Sequence, residues 1–262
     1  MKKFALMFSA AAVAMGALSS CDSVDESDRY IPVERQEAKR VVLIEEFTGM
    51  SCTNCPTGHE IVHDLLEIYQ ESVIPVSIHS GPPEYTLDPT HRLVLDTPAG
   101  QEYYKSVGSP ALPAAVINKE TPVLQPTNWA TEVARLISIP TPLTMSAEAS
   151  LSGDKKTIDI TVDMTSIDNV NGKLQVWVLE NGIVGYQLDH GSHILDYVHN
   201  HVLRAVVNGL WGEDVSLAEN VPAQISYTQE MSADWVPENT YIVAFVYNDK
   251  GVVQATQCKI EL

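Results

Sequence analysis

Positive charge is what this chain has least of. Its 262 residues carry 16 lysines and arginines against 34 aspartates and glutamates, a formal net charge of -18. Nucleic-acid binding and a polybasic membrane patch are therefore disfavoured. Cysteine is also scarce, with four in all, at positions 21, 52, 55 and 258, so the second cysteine pair of a typical structural zinc site is missing. Long apolar runs are missing too: the one from Phe4 to Leu18 is too short for a comfortable membrane span.

What that run does suit is a secretory signal, since Lys2 and Lys3 precede it. Its end, Leu18-Ser19-Ser20-Cys21, resembles a bacterial lipobox. That resemblance implies cleavage before Cys21, diacylation of its sulfur and acylation of its new amino group, an anchor of two or three chains that needs no transmembrane helix. An ordinary secreted protein with a stray cysteine is the alternative. Removing residues 1–20 takes away two lysines and no acid, so -18 becomes -20. The polar, acidic run Asp22–Asp28 and the charged stretch up to Arg40 read as a tether. Acidic residues just behind a lipidated cysteine resemble surface-export signals, although they also simply solvate a linker.

The chemistry centres on Cys52-Thr53-Asn54-Cys55. An apolar strand, Val41 to Phe47, runs into this motif, and a helix with Pro56 in its first turn follows, where backbone N–H groups lack intrahelical partners. The helix dipole there stabilises a thiolate, which makes Cys52 the candidate nucleophile and Cys55 the resolving thiol. An exported protein meets oxidising conditions, so the pair can close as a disulfide. Cys258 lies in a strand-like stretch and reads as a half-buried small residue.

Residues 40–139 follow the order strand, helix (about 53–71), strand (73–78), long insertion, strand (114–118), helix (127–138). Ile61, Val62, Leu65, Leu66, Ile68 and Tyr69 recur at helical spacing, and strand, helix, strand implies a right-handed crossover. This half resembles the thioredoxin fold. By that resemblance Glu46, six residues before Cys52, is the buried acid that handles the resolving thiol's proton, as opposed to an unpaired strand-end glutamate. Pro113 corresponds to the cis-proline, which leaves the backbone of Leu112 to pair with a substrate chain; Pro110 competes for that place. Ser51 and Thr53-Asn54 depart from the familiar Trp and Gly-Pro, which leaves the redox direction open. Asp96-Thr97-Pro98 signals a helix start, and Tyr103 and Tyr104 on it line either a groove or the core.

No metal or other cofactor is expected. His59 and His63 share a helix face without a third ligand in a recognised arrangement, and His199 and His201 alternate onto one face of an expected strand. After Pro140-Thr141-Pro142 the pattern changes to short alternating segments near 143–151, 157–164, 173–180, 197–206, 222–230, 240–247 and 252–260. Seven short strands point to an immunoglobulin-like β-sandwich without the antibody-type disulfide. The divisions are a signal at 1–20, an acidic tether at 21–39, an α/β thioredoxin-like domain at 40–139 and an all-β sandwich at 140–262.

Cys21, Glu45-Glu46-Phe47-Thr48-Gly49, the Cys52–Pro56 motif, Leu112-Pro113, Tyr197 to Arg204 and Trp211-Gly212-Glu213 together resemble the outer membrane protein 28 related lipoproteins. The resemblance covers nearly the whole mature chain. It implies a lipoprotein of the outer membrane, facing the periplasm or the cell surface, with a thioredoxin-like domain and a β-rich C-terminal domain. Two functions follow. One is thiol-disulfide exchange with a protein disulfide substrate. The other is binding of a surface ligand by an adhesive lipoprotein whose Cys52-Cys55 disulfide is only structural.

Overall fold

The computed structural model describes residues 36–120 and 122–262, which fall in one compact unit. Cys21, the signal and most of the tether lie outside the described residues.

Strand β1 (Val42–Thr48) is buried at every position. It pairs in parallel with β2 (Val73–His79) and antiparallel with β3 (Ala114–Ile117). A strand covered on both faces reads as a near-continuous apolar run, which explains Val42-Leu43-Ile44. Helix α1 (Cys55–Tyr69) forms the crossover from β1 to β2. Its Val62 and Leu65 meet Val42, Ile44, Val73, Ala115 and Ile117, and α4 (Trp129–Ile137) closes the same core with Trp129, Val133 and Leu136.

The insertion between β2 and β3 holds a short helix, α2 (Pro83–Thr86), and α3 (Pro98–Ser106). Thr97 caps α3 as its sequence implies: its Oγ1 accepts the Gly100 N–H at 3.0 Å, worth about 1 kcal/mol. Tyr103 and Tyr104 settle into the core with Leu43, Phe47, Trp177 and Phe245, so they line no groove.

Ten strands follow: β4 (Leu143–Leu151), β5 (Thr157–Ser166), β6 (Val170–Glu180), β7 (Ile183–Asp189), β8 (Ser192–His199), β9 (Val202–Val206), β10 (Glu213–Leu217), β11 (Ala223–Glu230), β12 (Thr240–Asn248) and β13 (Gly251–Glu261). The large sheet runs β11-β5-β4-β13-β12-β6-β9-β2-β1-β3, with β10 also on β6, while β7 and β8 form a separate hairpin. A mixed α/β region and an extensive β region therefore share one sheet, joined where the Ser77 N–H donates to the His201 carbonyl at 2.7 Å. Strands β6 and β12 form a middle layer. Val176, Val178, Ile242 and Ala244 face Leu143, Ile158, Ile160 and Val162. Trp177, Leu179, Val243 and Phe245 face the other way, toward Leu43 and Ile74. Each Val, Leu, Ile or Phe among them, fully buried, contributes roughly 1.5–3 kcal/mol.

The single strand expected over 197–206 is two strands. The strand breaks at Asn200-His201, where His201 takes a left-handed φ of 59°, and β9 continues in the register that β8 leaves, Ile183 facing His199 and Glu180 facing Val202. The break is held by the Asn181 side chain, which accepts the His201 N–H at 2.7 Å, and by the Asn200 side chain, which accepts the Gly182 N–H at 2.9 Å. His199 thus ends β8 and His201 sits in the break, so the two do not alternate along one strand.

Candidate functional site

Cys52 and Cys55 are joined in a disulfide with Cα atoms 5.4 Å apart. The motif forms a tight turn in which Cys52 N–H donates to Gly49 O at 3.1 Å and Cys55 N–H to Cys52 O at 3.2 Å. Cys55 then opens α1, with Pro56 in the first turn and no side-chain cap from Asn54. The helix therefore turns its positive dipole end toward the sulfurs, with the Cys55 and Thr57 N–H groups donating to Cys52 O and Asn54 O.

The pair is covered. Cys52 is 3% exposed and Cys55 0%, because the β7-β8 hairpin from the β region lies over the motif. Leu188 N–H donates to Met50 O at 2.8 Å, His190 N–H to Thr53 O at 2.9 Å, and Gly191 N–H to Thr53 Oγ1 at 2.9 Å. The buried Gln187 amide donates to Cys52 O at 3.2 Å and Gly49 O at 3.3 Å. Beneath the hairpin, Met50, Leu95, Tyr186 and Val202 form a small apolar cluster. Nothing in the cysteine motif announces this cover; the hairpin-turn residues His190-Gly191 were the available signal.

Glu46 is fully buried on β1, and neither carboxyl oxygen has a hydrogen-bond partner among the described residues. Burial pushes its carboxyl up to about 8. Ser77 lies close enough to reduce that rise without forming a well-made hydrogen bond. Gly58, one turn along α1 from Cys55, permits the close approach: a Cβ there would stand 2.5 Å from Glu46 Oε1, 3.0 Å from Trp129 and 3.2 Å from Pro113. Glu46, the start of α1 and Pro113 are thereby brought together. The Leu112-Pro113 peptide is cis, Pro113 is buried and Leu112 half-buried. Pro110 instead accepts the Tyr104 hydroxyl at 2.8 Å through its carbonyl.

Beside Glu46 opens a cavity of about 310 Å³ whose lining includes His59, His79, Tyr197, His199 and His201. Desolvation holds His59 down at about 3 and both His199 and His201 at about 4, and pushes His79 well below the usual imidazole range. At neutral pH these four imidazoles are neutral and the Glu46 carboxyl is mostly protonated; Glu60, His63 and Asp64 also line the cavity. Among the described residues, three potential metal donors converge only at exposed His63, Asp64 and Glu67. Cys258 is half-buried on β13, and burial raises its thiol to about 11, which leaves it un-ionised.

Residues 100–262 match the family described as outer membrane protein Omp28. The chain belongs to this family. No curated protein matches it. Among solved structures, HBP35 of Porphyromonas gingivalis is similar with a TM-score of 0.68 at 16% identity, covering 85% of this chain and 76% of that one. A protein from Agrobacterium tumefaciens gives 0.52 at 17% identity, covering 85% and 95%. A domain of the outer membrane lipoprotein Omp28 from Porphyromonas gingivalis is 27% identical over 46% of this chain and 89% of its own, with a TM-score of 0.33. The first two likenesses concern fold alone. Omp28 membership places the protein at the outer membrane, and its disulfide sits in the mixed α/β region ahead of the β region.

Proposed function

We propose that this Omp28-family protein is a lipid-anchored thiol-disulfide exchange protein of the outer membrane, held there through Cys21. In this reading residues 40–139 are thioredoxin-like, and residues 140–262 are an immunoglobulin-like sandwich that shares the sheet with them. The observation that carries the proposal is Glu46. A carboxyl buried without a hydrogen-bond partner is costly to a fold, and one raised to about 8 beside the helix that begins at Cys55 suits proton exchange with a leaving thiolate.

The steps balance as follows. A substrate thiolate attacks the Cys52 sulfur, the Cys52-Cys55 bond breaks, and Cys55 leaves as a thiolate that takes the Glu46 proton. A second substrate thiolate then attacks the mixed disulfide and Cys52 departs as a thiolate. The reverse path, with Cys52 attacking a substrate disulfide and Cys55 resolving it, reduces the substrate. Leu112 and Pro113 border the site and are assigned to holding the substrate chain. The hairpin must move for either direction to run. In cells, Cys55→Ser should accumulate mixed disulfides through Cys52, and Cys52→Ser should not; absence of any trapped partner in Cys55→Ser overturns the proposal.

A second reading is favoured by the covered sulfurs: a surface-binding lipoprotein in which the disulfide is a structural staple. It requires that ligand binding survive in a folded variant with both cysteines changed to alanine.

A further inference from the structure

The chamber beside Glu46 is built from both regions of the chain, and His59 hydrogen-bonds to groups from each. Glu46 Oε1 lies 3.8 Å from His59 Nε2. The same nitrogen shares a 2.9 Å hydrogen bond with Thr48 Oγ1, and His59 Nδ1 shares one of 2.7 Å with the Tyr197 hydroxyl on β8. A neutral imidazole donates from one nitrogen and accepts at the other, so it can pass a proton by exchanging tautomers. His79 Nδ1 and His199 Nδ1, both buried, lack partners among the described residues and belong to side chains that line the same cavity. A volume of about 310 Å³ has room for several waters at roughly 30 Å³ each. These donors do not converge as metal ligands.

We infer that this chamber is the proton port of Glu46, with His59 and the Tyr197 hydroxyl carrying protons between the buried carboxyl and solvent. The purpose of the port rests on the exchange reading above; its existence does not. After Glu46 has protonated the Cys55 thiolate, His59 Nε2–H donates to the Glu46 carboxylate, through one water or a small rotation of the carboxyl. Tyr197 O–H donates in the same movement to His59 Nδ1, and a chamber water returns a proton to Tyr197. One proton moves from solvent to Glu46, no electrons move, and His59 is left as its other tautomer. Tyr197 thereby ties the β region to the chemistry of the α/β region.

The test is deuterium exchange at Glu46 in the full-length protein. The carbonyl stretch of its protonated carboxyl is followed by infrared spectroscopy after dilution into D₂O, and Glu46→Gln identifies the band. Tyr197→Phe and His59→Gln should each slow the exchange by about 100-fold or more, the low end of what positioned proton-transfer groups supply. Exchange at the wild-type rate in Tyr197→Phe, which loses one hydroxyl and decides the matter if His59→Gln fails to fold, overturns the port. Slowed exchange in a protein that never trades disulfides with a substrate supports the port and overturns the exchange reading, so the two failures are distinct.

Discussion

Replacing Gln187 by methionine should unlatch the cover over the disulfide. The Gln187 amide donates to Cys52 O, Gly49 O and Leu188 O, and methionine keeps the length of the side chain while removing all three bonds. The orphaned acceptors are not left bare: Gly49 O still accepts from Cys52 N–H, and Cys52 O from Cys55 N–H. The loss is therefore the net value of the bonds, about 0.5–1.5 kcal/mol apiece, without the full penalty of an unsatisfied group. It is moderated because Gln187 Oε1, itself buried without a partner, is removed too. A net weakening of hairpin docking by about 1–2 kcal/mol raises the open population roughly 5- to 30-fold, since 1.4 kcal/mol is a factor of ten. The assay is the pseudo-first-order reduction of Cys52-Cys55 by a phosphine in native buffer, read as alkylated thiols by mass spectrometry, with the urea unfolding midpoint measured alongside. A rate increase in that range at reductant levels where the protein stays folded supports a hairpin that opens locally. An unchanged rate, or an increase that tracks global unfolding alone, refutes the reasoning.

Gly58→Ala should destabilise the protein by about 1–2 kcal/mol in urea titration, because the clash with Glu46, Trp129 and Pro113 outweighs the roughly 1 kcal/mol that alanine adds to a helix; a stabilised variant contradicts the packing described. Stability should peak between about pH 6.5 and 7. The buried imidazoles have folded values far below their unfolded 6.5, so their contribution is present above pH 6.5 and lost as pH falls. Glu46 is raised from 4.5 to about 8, so its contribution declines between those values. His79 and His199, the most enclosed, should dominate the acid limb over His59, whose side chain is 17% exposed; urea midpoints that stay flat from pH 5 to 7 rule this out. Changing Cys52 and Cys55 together to alanine should cost about 2 kcal/mol, the loop-entropy value for so short a loop, with cooperative unfolding retained in calorimetry; collapse to a molten state contradicts it.

Much of the site was legible because it is local. The strand into Cys52, the Pro56 helix start and the Thr97 cap are encoded within a few residues of where they act, and the alternation of β4, β5 and β11 is likewise local. Glu46 was found by its place before Cys52 and Pro113 by its place before the apolar strand at 114–118, although their contact through Gly58 depends on tertiary packing. The cover was not legible for the opposite reason: Gly191 meets Thr53 across 138 positions, and Gln187 carries no mark distinguishing it from a surface glutamine. The imidazole chamber is similar, with His59 on α1, His79 on β2, His199 on β8 and His201 in the break before β9. Spacing in the sequence suggested the separate pairs His59/His63 and His199/His201 and gave no reason to single out His79. The strand expected over 197–206 breaks at Asn200-His201, because the alternation in the sequence continues through a left-handed residue that only side-chain bonds with the facing Asn181-Gly182 segment select.

The most direct test of the exchange proposal is the reduction potential of Cys52-Cys55 in the full-length protein, by equilibration in glutathione and dithiothreitol buffers with thiols alkylated and read by mass spectrometry. Exchange chemistry predicts a value within about -120 to -270 mV, with Cys52 alkylated before Cys55. A potential below about -300 mV, or sulfurs that stay unreactive until the protein unfolds, contradicts it and makes the disulfide a structural staple.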